Sequence, residues 1–140
     1  MNYRFTKKKR TRKPKSPRQR LIKICDDLWA ETIKVRDGKC RKTGRVDNLQ
    51  AAHIISRGHF STRWMLENGL TLTGGVHFRY TFVDNDKWAD FCISQIGKEA
   101  YDSLKFLAEI RMHHKPNDLQ LISIGLQAQL TKLKKERGLI

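Results

Sequence analysis

Across residues 21–36 the apolar side chains Ile22, Cys25, Trp29 and Ile33 recur at intervals of three and four, and Leu28 widens the stripe. That spacing predicts a helix with one buried face, closed by the turn signal Asp37-Gly38, where Gly38 is a natural C-cap. The period then changes. Residues 45–55 hold β-compatible apolar runs, and the stretch GLTLTG at 69–74 alternates in the manner of a strand, which together predict a two-stranded antiparallel hairpin. Its connection, SRGHFSTRWMLEN, is longer than a tight turn and carries Arg57, His59, Arg63 and Trp64.

Beyond Gly74-Gly75, read as the turn out of the second strand, His77, Tyr80 and Thr81 fit one face of a short helix, with Val76 and Phe78 available for packing. A further helix is expected from an N-cap at Asp84, Asn85 or Asp86 through Trp88, Phe91, Cys92 and Ile96 to Gly97. Another runs from Lys98 to about Met112 with Tyr101, Leu104, Leu107 and Ala108 spaced for burial. The last runs from Asn117 or Asp118 to Arg137 on Leu119, Ile122, Leu126, Leu130 and Leu133. The expected fold class is α+β and mostly helical, with one small hairpin and no internal repeats. Trp29, Trp64 and Trp88 read as core residues.

Charge sharpens this picture at one end. The chain carries a formal net charge of +15 over 140 residues, and residues 1–20 hold ten Lys/Arg and no acid, leaving 19 basic against 14 acidic residues in the rest. A run with that repulsion and almost no apolar content is expected to be a disordered tail, ahead of a single domain over 21–140. Lys7, Lys8, Lys9, Arg10, Arg12 and Lys13 are suited to lie along phosphates of DNA or RNA, giving salt-sensitive, sequence-independent affinity; a solubilising or ribosome-adhering tail is the plainer alternative. No apolar run approaches the ~18 residues that span a bilayer, and an apolar leader is absent, so an intracellular protein is expected. Three cysteines at irregular spacing, Cys25, Cys40 and Cys92, make neither a disulfide framework nor a four-cysteine zinc site, and reduced thiols are the default.

The residues with chemical potential are His53 in the first strand, Asn68 at the end of the loop and His77 in the short helix. A hairpin with a helix packed across it can bring the two histidines together while the asparagine braces the loop between them. One imidazole could then deprotonate water and the other hold a divalent cation, the parts needed for metal-assisted phosphodiester hydrolysis. This arrangement resembles the HNH, or ββα-metal, nuclease family. The flanks strengthen the likeness: residues 28–82 are similar to phage-type HNH proteins with an RDG-x-C turn, a QAAHI strand and an STRW loop, and ISQIGKEAYDSLKFLAEI is similar to the following segment in phage recombination proteins of the NinG type. The resemblance covers about residues 21–137 and implies a hairpin-helix core at about 45–82, with C-terminal helices at about 84–137.

What the resemblance implies is a DNA endonuclease, phage-encoded and working in the host cytoplasm, that nicks double-stranded DNA as a monomer or weak dimer. His53 is then the general base, Asn68 the residue that braces its loop, and His77 the metal ligand, assisted by Thr81 or Asp84. Arg57 and Arg63 are placed to contact phosphates flanking the cleaved bond. The departures from the family are specific. Its two CxxC pairs are here Cys40-Arg41-Lys42-Thr43 and Thr73-Gly74-Gly75-Val76, so three of four thiolates are missing and no structural zinc is expected. Cys40 is then read as a small buried apolar residue. Ala52 stands where a first-shell donor often precedes the base, which leaves Mg or Mn, completed by water and substrate, as the expected cofactor. The competing reading is a catalytically silent nucleic-acid-binding module. His113-His114 and His59 fall outside the motif.

Overall fold

The computed structural model describes residues 10–140; Lys7, Lys8 and Lys9 lie outside the described residues. The chain is α+β and mostly helical, with five α-helices and a two-stranded antiparallel sheet among the described residues. The elements in order are α1 (Pro17–Asp37), β1 (Leu49–His53), β2 (Gly69–Thr73), α2 (Gly74–Phe82), α3 (Trp88–Ile96), α4 (Lys98–Ala108) and α5 (Pro116–Glu136).

Helix α1 begins four residues earlier than its apolar stripe suggests, so the expected tail of residues 1–20 is cut back at its C-terminal end. The reason is local: Ser16 accepts from the Gln19 N–H, the Gln19 side chain accepts from the Ser16 N–H, and Pro17 occupies the first turn. Arg18 then anchors this turn by donating to the His114 carbonyl at 3.0 Å. At the other end Gly38 adopts φ 67° and caps the helix by donating to the Lys34 carbonyl. Just inside the cap, the buried Asp37 carboxylate accepts from Arg36 and from the Thr71 N–H at 2.9 Å, tying α1 to the middle of β2. Burial pushes this carboxyl up, but Arg36 and the Thr71 bonds outweigh it and hold it below the usual carboxylate range.

The sheet divides the core. Its pairing sets Ala52 opposite Leu70 and Gln50 opposite Leu72. Ala52, Leu70 and Leu72 pack with Phe91, Cys92 and Leu104 on the side of α3 and α4. The alternate residues face the other way, where Ala51 joins Trp29, Ile33, Trp64, Leu119 and Leu126 on the side of α1 and α5. Side chains of the sheet are therefore read by helices on both faces.

Several expectations change. Helix α3 starts at Trp88, after a 3-10 turn over Asn85–Lys87 and without a side-chain cap, rather than from an N-cap among residues 84–86, and α5 starts at Pro116 behind Lys115. Gly74 and Gly75 are the first turn of α2 rather than a turn before it, because Thr73 is the N-cap and accepts from the Val76 N–H. Phe78 is 58% exposed and packs into no core cluster, since Val76 and Tyr80 already occupy the inward face of α2. Helix α4 stops at Ala108 rather than near Met112, and Ile110 and Met112 are exposed.

A close fit against the core lies at Gly69, opposite His53: a Cβ there would lie 2.5 Å from Cζ2 of Trp29 and 2.8 Å from Cδ1 of Ile33. Gly69→Ala should therefore lower stability by about 1–3 kcal/mol through overpacking and perturb the Trp29 environment. Urea denaturation followed by tryptophan fluorescence checks this, and an unchanged midpoint and native spectrum would show that the contact is not tight.

Candidate functional site

The site is assembled by the loop between the strands. Asn68 is fully buried at its end, and its side chain closes the loop on itself: Oδ1 accepts from the Ile55 N–H at 2.7 Å, while Nδ2 donates to the carbonyls of Ile55 at 3.0 Å and Thr62 at 3.1 Å. Helix α1 holds the same loop from outside, with Arg36 donating to the carbonyls of Leu66 and Gly69, and Trp29 Nε1 donating to the Met65 carbonyl at 2.9 Å.

His53 ends β1 on the face toward α1. Its ring lies flat on Trp29, with centroids 3.9 Å apart and planes within 8°. Its Nε2 is 2.9 Å from the Arg63 carbonyl oxygen. A carbonyl can only accept, so Nε2 carries the hydrogen and Nδ1 keeps its lone pair. Burial lowers the His53 pKa from its ordinary value; the Arg63 carbonyl and Asp26 oppose that shift, and the charges of Arg63 and Arg57 add to it. The neutral imidazole with a bare Nδ1 is thus the favoured form near neutral pH.

His77 faces the opposite requirement. On α2, its Nδ1 is 2.9 Å from Oε1 of Gln50 in β1, so Nδ1 donates and Nε2 is the bare nitrogen. Burial lowers the pKa of His77 as well. Gly74 makes room for this contact, because a Cβ there would come within 3.1 Å of Nε2 of Gln50. Thr81, one turn on, donates its hydroxyl to the His77 carbonyl at 2.8 Å and keeps its oxygen lone pairs.

Both histidines line one cleft of about 680 Å³. It lies against the unpaired side of β1, with Asp26, Asp27 and Trp29 of α1 along one wall and His77 and Thr81 of α2 along the other. Arg57 lines it too, exposed and forming no ion pair among the described residues. Arg63, expected to contact phosphate, is engaged within the chain. It is 12% exposed, forms a two-pronged ion pair with Asp26 at 2.9 and 2.7 Å, and spans the faces of Phe60 and Trp64. With Trp64 Nε1 also donating to Asp26, this pair fixes the backbone whose carbonyl holds His53. Asp84 is likewise occupied, by Arg79. Arg10, Arg12 and Lys13 are exposed just ahead of α1.

Among the described residues no group of three or more His, Cys, Asp or Glu side chains is arranged to hold a metal ion. The donors facing the cleft are the bare Nε2 of His77 and the Thr81 hydroxyl, with His53 Nδ1 and the carboxylates of Asp26, held by Arg63, and Asp27, held by Lys23, across from them. That set suits a hard cation which keeps most of its water and takes further oxygens from a phosphate, rather than a cage built wholly of protein. At the position of the expected knuckle, Cys40 is buried in the core cluster with Ala52, Leu70 and Leu72, as a small apolar residue would be. Burial pushes its thiol up, yet hydrogen bonds from the Thr43 hydroxyl and from backbone N–H groups of Thr43, Thr73 and Lys42 outweigh this and bring it down to about 7. His114, outside the motif, packs beside Phe60 and Trp64.

The residues missed by reading the sequence are Gln50, which orients His77, and the Asp26-Arg63 pair, which orients the His53 partner. Gln50 stood in the QAAHI strand, three residues before His53, as the only signal. No protein-family model, curated protein or solved structure matches the chain.

The depressed pKa values have a consequence of definite sign. Above pH ~6.5 both imidazoles are neutral in folded and unfolded chains alike. As pH falls below it, the unfolded chain takes up protons that the folded chain refuses, so stability present above that pH is lost toward the folded-state values. Urea midpoints at pH 7.5 and 5.5 should differ more for the wild type than for His53→Gln/His77→Gln. Equal differences would mean that neither histidine is desolvated.

Proposed function

We propose that the chain is a divalent-metal-dependent DNA endonuclease of the HNH, ββα-metal type, hydrolysing phosphodiester bonds and nicking duplex DNA. The observation that carries this reading is the pairing of opposite tautomers in one cleft: His53 with Nδ1 bare, held through Nε2–H, and His77 with Nε2 bare, held through Nδ1–H. A base and a ligand are the two uses of a neutral imidazole that hydrolysis at a phosphate requires. The β1-loop-β2-α2 order and the Asn68 brace fit the same family pattern.

In this mechanism Arg57 pairs with a phosphate oxygen and draws the strand into the cleft. His77 Nε2, with Thr81 beside it, offers the protein's donors to the cation, and Gln50 fixes the ring plane in the manner of an outer-shell partner. A divalent cation bound there would neutralise charge on the scissile phosphate and ease departure of the 3′ oxygen. His53 Nδ1 takes a proton from the water whose oxygen attacks phosphorus; the P–O3′ bond breaks and the leaving oxygen is protonated from solvent. Trp29 and the Arg63 carbonyl keep the imidazole from turning as it becomes charged. The basic residues Arg10, Arg12 and Lys13 precede α1, whose start lies about 15 Å along the helix from Asp27 at ~1.5 Å per residue, within reach of the same duplex.

The second reading, a nucleic-acid-binding module without catalysis, is favoured by one observation: no three-ligand His, Cys, Asp or Glu cluster exists among the described residues. Supercoiled plasmid separates the two. With Mg or Mn, and not with EDTA, the wild type should produce nicked circles. His53→Ala should slow this by about 10²–10⁴, the usual contribution of a general base, and His77→Ala should remove the metal response. Plasmid retarded on a gel but uncut in every metal would establish the silent module instead.

A further inference from the structure

Helix α2 shows three faces. At about 100° per residue, Val76 and Tyr80 point into the core, while His77 and Thr81 come next and line the cleft. Beyond them, on the side away from the core, come Phe78 and Phe82. These two rings are 58% and 70% exposed, and their centroids lie 4.9 Å apart with the planes tilted by 46°. They stand one helical step, about 100°, beyond the nitrogen and hydroxyl that face the cleft, and do not line it themselves. No side chain of the described chain covers them: α2 has no fully buried residue, and Phe78 and Phe82 belong to neither core cluster.

Single exposed aromatics are ordinary, but two in contact beside a polar cleft mark a surface that something else covers. Charge identifies the occupant. A second copy of a chain with net charge +15 meets strong repulsion, whereas a polyanion is drawn to the same surface. Of the groups a polyanion can offer a phenyl ring, nucleobases stack on it, and aromatic rings next to a basic groove are how proteins hold single strands without reading sequence. A base inside an intact duplex has both faces covered already.

We infer that Phe78 and Phe82 form a base-stacking platform, and that the preferred nucleic acid has unpaired bases next to the phosphate in the cleft, as in a single strand, a frayed end or a branch. This rests on the nucleic-acid reading of the cleft given above, but not on its catalysis. Arg79 flanks the platform and is held by Asp84, so stacking rather than a new phosphate contact would supply the selectivity.

The test is binding of labelled oligo-dT and of a duplex of equal length, by fluorescence anisotropy, using the full chain carrying His53→Ala in EDTA so that nothing is cut. The oligo-dT should bind more tightly than the duplex. Phe78→Ala/Phe82→Ala should weaken oligo-dT binding on the order of tenfold for each stacked base lost, with duplex binding and melting temperature unchanged. Phe78→Trp/Phe82→Trp should restore it. The inference is overturned if the alanine pair binds oligo-dT as the parent does, if both substrates lose equally, or if the alanine pair abolishes a self-association seen by sedimentation. A chain that stacks oligo-dT yet never nicks plasmid would remove the endonuclease reading alone; one that nicks plasmid with oligo-dT binding indifferent to the phenylalanines would remove the platform alone.

Discussion

The buried carboxamide of Asn68 is the constraint on which the site depends. A loop of this length has no reason of its own to hold one shape, and closing it leaves backbone polar groups inside the protein. Asn68 satisfies three of them with one rigid group: the N–H and carbonyl of Ile55 and the carbonyl of Thr62. Once those ends are joined, Arg63 and Trp64 are carried against α1, where Asp26 receives both. The Arg63 carbonyl then falls at His53 Nε2. An aliphatic residue at 68 could fill the space but would strand the same groups, each a penalty of about 1–3 kcal/mol when buried without a partner.

The sheet supplies the second half of the arrangement. Because successive residues of β1 face opposite layers, His53 is presented to α1 while Gln50 is presented toward α2. A two-stranded sheet has little stability alone. Here it is held between Trp29 and Ile33 on one face and Phe91, Cys92 and Leu104 on the other, so that its free edge can border a cleft without pairing to another strand. Each histidine is fixed by a partner from a different element, which is why the two rings can hold opposite hydrogens while lining the same cleft.

Much of this was legible from local pattern. The three-and-four spacing of Ile22, Cys25, Trp29 and Ile33 marks α1, the alternation around Leu70 and Leu72 marks β2, and Asp37-Gly38 marks the end of the first helix. Spacing and resemblance single out His53, Asn68 and His77; His53 and His77 line one cleft, and Asn68 braces the loop between the strands. What escaped depends on contacts between distant segments. Arg63 resembles any basic loop residue until Asp26, 37 positions earlier, is folded beside it. Trp29 is an apolar entry in a helical stripe until Gly69 leaves the gap in which it stacks on His53. Hydrophobicity marks Phe78 as able to pack, not whether a neighbour remains to bury it. The start of α1 was missed for a simpler reason: charge dominated a stretch whose Ser16-Pro17 and Gln19 carried a helix signal.

The central claim is that the two cleft histidines are neutral and of opposite tautomer, each bare at the nitrogen its role requires. Long-range nitrogen-proton correlation spectra of ¹⁵N-histidine-labelled protein near pH 7.5 read this directly. The account predicts a protonated Nε2 and bare Nδ1 for His53, and a protonated Nδ1 and bare Nε2 for His77. The same tautomer on both rings, or a charged imidazole at either, would contradict it.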